Sequence, residues 1–121
     1  ASDMIARYSG EEFLVVLSDP NPDGIVTIAD DLRRLVEQNS AEFGGQPIPI
    51  TASFGVSVSL VNTEEAVQES IGRVDAVLYA AKAMGRNRVV GWDETFNEGD
   101  DAVRDHIKTA HVASAPTFKI A

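Results

Sequence analysis

No cysteine occurs among the 121 residues, which removes disulfide frameworks, thiolate zinc sites and cysteine nucleophiles and fits a reducing compartment. Cations are scarce as well. Ten Lys and Arg face nineteen Asp and Glu, for a formal charge of −9. The overall field therefore repels nucleic acid and anionic membranes, and any polyanionic ligand must be met by cations gathered locally. No apolar run approaches the roughly 20 residues of a membrane span, and the first residues lack the pattern of a signal peptide. Internal repeats and low-complexity tracts are absent too. What remains reads as a soluble piece, expected to be cytoplasmic and not to bind nucleic acid, with 44% hydrophobic residues and length enough for one domain but not two.

Met4–Tyr8 and Phe13–Leu17 are short runs rich in β-branched and aromatic residues around Ser9-Gly10-Glu11-Glu12, a hairpin pattern. After the turn formers of 19–24, Ile25, Ile28, Ala29, Leu32 and Val36 recur at helical spacing, predicting a helix over about 23–39. Gly44–Pro49 breaks the chain. From Ile50 to Leu60 large apolar residues alternate with Thr, Ser and Gly, which predicts a strand. Asn62 or Thr63 supplies an N-cap for a second helix with Val67, Ile71, Val74, Leu78 and Ala81 on one face, and Gly85 is placed to end it. Arg88–Trp92 reads as a last short strand. Residues 1–92 form the domain in this reading, and 93–121 an acidic accessory tail with a short helix over 102–112. The order β-β-α-β-α-β predicts an α/β protein, an α+β sandwich with helices on one face of a largely antiparallel sheet.

Two clusters carry chemistry. Gly10, Glu11 and Glu12 place two carboxylates beside a glycine at a chain reversal. Such oxygens suit Mg²⁺, which takes one or two protein carboxylates and completes its shell with water and phosphate, although acidic turn residues are commonly only solvated. Lys82, Arg86 and Arg88 put three of the ten cations within seven residues, with Lys82 and Arg86 at i,i+4 spacing. They serve either as a phosphate clamp or as basic residues complementing a helix C-terminus. His106 and His111, five apart, miss the spacing that puts two metal ligands on one helix face. Trp92, Phe96 and Phe118 are candidate anchors of the tail, either to the domain or to a partner.

Arg7–Phe13, with the variant signature SGEEF, resembles the motif that names the GGDEF domains, the diguanylate cyclases. Ile50–Ser57 resembles their later core strand, and Val74–Lys82 with Gly85–Val89 their last helix and strand, so that three motifs in order cover residues 3–91. The resemblance implies a partial nucleotidyl-cyclase-like palm that lacks the first strand and first two helices, and with them another metal-binding aspartate and the residues that recognise guanine. That first strand belongs in the middle of the sheet, so its absence predicts unpaired backbone edges, an uncovered apolar face and self-association through the exposed edge.

The implied activity is condensation of two GTP into cyclic di-GMP with release of pyrophosphate, performed by a homodimer with Mg²⁺ (or Mn²⁺), this chain alone being inactive. Glu11 matches the metal-binding carboxylate, which is implicated also in activating the attacking hydroxyl, and Glu12 the adjoining catalytic acid. Gly10 matches the glycine lying against the nucleotide, and Lys82 and Arg86 the cations on the terminal phosphates. Asp3 matches the aspartate of a product-inhibition site whose arginine falls before Ala1, while Asp31 stands where a further arginine is common. A sensory domain usually precedes such a domain, and the parent is either free in the cytoplasm or membrane-anchored. The alternative is a non-catalytic GGDEF-like module that binds a nucleotide or signals by dimerising.

Overall fold

The structure, a computed structural model, describes residues 3–17, 24–39, 41–59, 62–93 and the backbone of 117–120. The elements are β1 (Met4–Arg7), β2 (Phe13–Val16), α1 (Ile25–Gln38), β3 (Ala41–Phe43), β4 (Gln46–Ile48), β5 (Phe54–Ser57), α2 (Glu64–Ala83), β6 (Val89–Gly91) and β7 (Thr117–Ile120). This is the expected mixed α/β palm, with the two helices and the strands near their sequence-based positions. The turn at 18–23, the short helix at 102–112, Phe96, His106 and His111 lie outside the described residues.

The main sheet has the order β1-β2-β7-β5-β6. β1 pairs antiparallel with β2, β7 is antiparallel to both β2 and β5, and β5 runs parallel to β6. The centre of the sheet is therefore not left open as expected: β7, from the segment read as a tail, is paired on both sides. Its register sets Lys119 opposite Leu14 on one side and Gly55 on the other. Proline at 119 removes a backbone donor from the middle of this ladder. Lys119→Pro is expected to speed amide hydrogen exchange in β2 and β5 together, by tenfold or more. Unchanged protection in both strands would contradict the pairing.

The helices lie on opposite faces of the sheet rather than on one. Phe54 and Val56 of β5 pack with Ile25 and Ala29 of α1, while the alternate residue Gly55 meets the backbone of α2 at Val74 and Leu78. Covered from both sides, β5 is buried at every position, and the strand is shorter than its 11-residue sequence pattern. The small residues Ser53, Gly55 and Ser57 do not face water, as strict alternation suggests; their size admits α2.

Thr63 caps α2, its Oγ1 accepting from the Ala66 N–H at 3.1 Å. The helix ends as its glycine predicts: the Gly85 N–H donates to the Lys82 carbonyl at 3.3 Å and the Arg86 N–H to the Ala81 carbonyl at 2.9 Å, the paired bonds of a Schellman motif. β3 and β4 form an unexpected hairpin over Gly44 and Gly45, whose φ of 59° and 78° suit a two-residue turn. Its side chains are exposed throughout, so no burial pattern marked it. Beside β1 and β2 an apolar groove of about 530 Å³ is lined by Ile5, Phe13, Val36, Ile50 and Ala52 among others. Ile28 and Leu32, read as inward-facing on α1, are exposed.

Candidate functional site

The β1–β2 reversal is tied down by its own backbone and by Arg7. The N–H groups of Tyr8 and Ser9 both donate to the Glu12 carbonyl, at 2.8 and 3.2 Å. Arg7 donates to the carbonyls of Ser9 (3.3 Å) and Gly10 (2.6 Å). This orders the loop and neutralises outward-pointing carbonyl dipoles beside the two acids. Ser9 does not adopt a left-handed φ, so serine costs nothing in backbone strain here, and its hydroxyl donates to Glu12 Oε1 at 3.4 Å. A Cβ placed on Gly10 meets nothing within 4 Å. Neither internal packing nor a left-handed backbone requires a glycine there.

From the other end of the chain, the last turn of α2 brings Lys82 over this loop. Its Nζ lies 3.8 Å from Glu11 Oε1 and 3.7 Å from Glu12 Oε2. Glu11, Glu12, Lys82, Leu78 and Tyr79 line one cleft of about 160 Å³. Glu11 is almost fully exposed at 81%, whereas Glu12 (21%) and Lys82 (23%) are largely covered. Glu11 therefore stands open to solvent, while Glu12 and Lys82 form the covered part of the cleft's lining.

Arg86 does not join them. α2 stops at Ala83, so the i,i+4 helical pairing expected of Lys82 and Arg86 is lost, and the Arg86 guanidinium reaches back to the Lys82 carbonyl at 3.5 Å. Arg88 donates to the Arg86 carbonyl at 3.0 Å, which makes it part of the turn. Asp3 is exposed, one residue ahead of β1, and does not line this cleft. Trp92 carries the Arg73 guanidinium 5.5 Å above its ring.

A divalent cation fits the donor set in one way only. Among the described residues no group of three or more His, Cys, Asp or Glu is arranged to hold a metal, so there is no closed protein cage. Two carboxylates at an open cleft suit Mg²⁺, which keeps waters and shares its remaining positions with phosphate oxygens. No helix of the described residues is long and apolar enough to cross a membrane.

Comparison with known proteins decides the family. The model of the family described as "Diguanylate cyclase, GGDEF domain" matches residues 1–88. This chain belongs to the GGDEF family. Diguanylate cyclase A of Treponema denticola is 39% identical over 88 residues, covering 73% of this chain and 24% of the relative. Diguanylate cyclase DosC of Escherichia coli is 32% identical over 93 residues (76% and 20%), and the response regulator PleD of Caulobacter vibrioides 37% over 95 residues (75% and 20%). The chain thus spans about a quarter or less of the length of these curated relatives. In this GGDEF domain β7 lies beyond the matched residues, so the middle of the sheet is filled from outside the family segment.

One network outside the cleft, at the turn that follows α2, escaped sequence reasoning. Arg33 of α1 donates to Asp30 Oδ1 at 2.7 Å, Glu37 Oε2 at 2.8 Å and Asn87 Oδ1 at 2.9 Å. Hydrogen bonding to Arg33 holds the Asp30 carboxyl below the usual carboxylate range. The signal was available in the i,i+3 and i,i+4 spacing of Asp30, Arg33 and Glu37. Its reach to Asn87 was not.

Proposed function

We propose that this chain supplies the acid-and-cation half of a site that condenses two GTP into cyclic di-GMP, acting as a homodimer in which each domain presents one nucleotide to the other. The observation that carries this reading is the meeting of Glu11 and Glu12 with Lys82 in one open cleft. In each condensation the 3′-oxygen of one GTP bonds to the α-phosphorus of the other, the bond to pyrophosphate breaks, and the hydroxyl proton leaves to a base. Two such steps close the ring.

Such phosphoryl transfer depends on positioning and charge neutralisation more than on covalent chemistry. Glu11, the exposed acid, would hold Mg²⁺ or Mn²⁺, which supplies charge neutralisation on the phosphates and lowers the pKa of a bound hydroxyl. Glu12 and Ser9 steady the loop. Gly10 leaves room for the nucleotide against the backbone. Lys82, turned toward the carboxylates here, exchanges them for the terminal phosphates, and Arg86 adds a second cation from the turn beyond α2. The remaining elements of a site for GTP, those that read guanine, belong to an upstream half of the domain, so the chain by itself makes no product. The cyclic di-GMP product and a sensory domain ahead of the cyclase are further partners in this reading, with Asp3 a candidate contact for product inhibition.

The test uses the chain joined behind the upstream half of the Treponema denticola diguanylate cyclase domain, with GTP, Mg²⁺ and chromatographic detection. Lys82→Ala removes a charge bound to phosphate both before and during reaction. It is expected to raise KM for GTP about tenfold, corresponding to about 1.4 kcal/mol, with a smaller fall in kcat. An unchanged KM would leave Lys82 as a helix-end residue only.

A further inference from the structure

The turn after α2 is held in an unusual shape from the opposite face of the sheet. Gly85, Arg86 and Asn87 have φ of 118°, 64° and 47°, and an arginine seldom rests in the left-handed region. Such a conformation persists where its surroundings over-determine it. The Schellman bonds fix Gly85 and Arg86 from the helix side. Asn87 fixes the exit.

The Asn87 N–H donates to Ser53 Oγ at 3.2 Å, and Ser53 is buried. Asn87 Oδ1 accepts from Arg33 at 2.9 Å and Nδ2 donates to Glu37 Oε1 at 3.1 Å. Both faces of the amide are thus used by α1, 50 and 54 residues away in sequence. Arg33 is itself paired with Asp30 and Glu37 and is 15% exposed, so the fork is held in place on α1. Neither Arg33 nor Asn87 lines the Glu11–Lys82 cleft.

We propose that Arg33 and Asn87 form a positioning latch that fixes the left-handed turn and so sets the place from which the Arg86 guanidinium, resting on the Lys82 carbonyl here, turns to a bound triphosphate. The proposal rests on the reading of Lys82 and Arg86 as phosphate contacts. Arg86 stands between two residues of positive φ, so its direction is set by the backbone rather than by the helix. Losing the Asn87 side chain leaves the exit of the turn held by the Ser53 bond alone, which loosens the turn and the Arg86 side chain it carries, while Lys82, inside the last turn of α2, stays in place.

The test titrates inorganic triphosphate with Mg²⁺ into the full chain, followed by the amide resonances of residues 82–88. Asn87→Ala, which leaves net charge unchanged, is expected to weaken triphosphate binding at least fivefold. Asn87→Asp combined with Glu37→Gln reverses the donor and acceptor at one bond, keeps both Arg33 contacts and the net charge, and is expected to bind within twofold of the unmodified chain. On an Arg86→Ala background, Asn87→Ala is expected to add no further loss, because its effect passes through Arg86. Arg33→Lys keeps the charge without the fork and is expected to show the same loss, which keeps the test open should Asn87→Ala not fold. Equal affinity in all variants, or a loss undiminished on the Arg86→Ala background, would overturn the latch alone. No binding by the unmodified chain would overturn the phosphate reading and the latch with it.

Discussion

Gly55→Ala is expected to lower the melting temperature by about 10 °C, following a loss of about 3 kcal/mol at the upper end of what overpacking costs. A methyl group at this position runs into the Val74 carbonyl oxygen, lies 2.6 Å from the Leu78 nitrogen and 2.9 Å from Val77 Cγ2. Two of those atoms belong to the backbone of α2 and cannot turn aside as a side chain could. The helix has to lift from β5, opening contacts on a strand buried at every residue. Gly10→Ala is the contrast: with open space around it, it is expected to shift the melt by less than about 2 °C. Thermal melts by circular dichroism compare the two. A Gly55→Ala melt as mild as that of Gly10→Ala would show that α2 does not lie so close to the sheet, and the two-faced packing would be wrong.

The same position shows how far the sequence could be read. The alternation from Ile50 to Leu60 located β5 but not its surroundings, because period-two patterns report a difference between the two sides and not which side, if either, is solvent. Here the difference is size, with Ser53, Gly55 and Ser57 admitting a helix backbone. α2 was legible almost to the residue, since Thr63, the apolar face and Gly85 each act locally. Lys82 followed from it. The meeting of Lys82 with Glu11 and Glu12 is nonlocal: the charge pattern offered a clamp facing the acidic turn as one of two readings, and the family resemblance favoured it. Arg86 shows the opposite case: its spacing from Lys82 implied a shared helix face, but the glycine that ends the helix turns the chain before Arg86 is reached.

β7 had no signal at all. Thr117–Ile120 is four residues at the end of a weakly patterned segment, and its place between β2 and β5 is set by partners about 60 and 100 positions away. Asn87 was passed over for a related reason: beside Arg86 and Arg88 it carries no charge, and its value lies in what α1 presents to it. Residues that touch a ligand carry recognisable chemistry in the sequence, whereas residues that hold them there are visible only once the helices are packed.

Glu11→Gln, in the chain joined behind an upstream half domain, is expected to lower the rate of cyclic di-GMP formation at saturating GTP by at least a thousandfold. The amide matches the carboxylate in size at a side chain 81% exposed, so folding is expected to be unaffected, as a melt and circular dichroism can verify. What is lost is the negative charge that would hold the metal, and the ligand is poor without it. In the proposed reaction that charge would serve the reacting phosphates and the attacking oxygen, so the loss is expected to fall on kcat rather than on KM alone, which separates it from Lys82→Ala. Raising Mg²⁺ or substituting Mn²⁺ is expected to restore little. The deciding measurement is the turnover number of this variant beside that of the unmodified protein, over a range of GTP and Mg²⁺. A thousandfold loss with an intact fold is the predicted result; near-normal turnover at saturating GTP would mean that the carboxylates of this turn are merely solvated and that the cleft between Glu11 and Lys82 is not where the metal works.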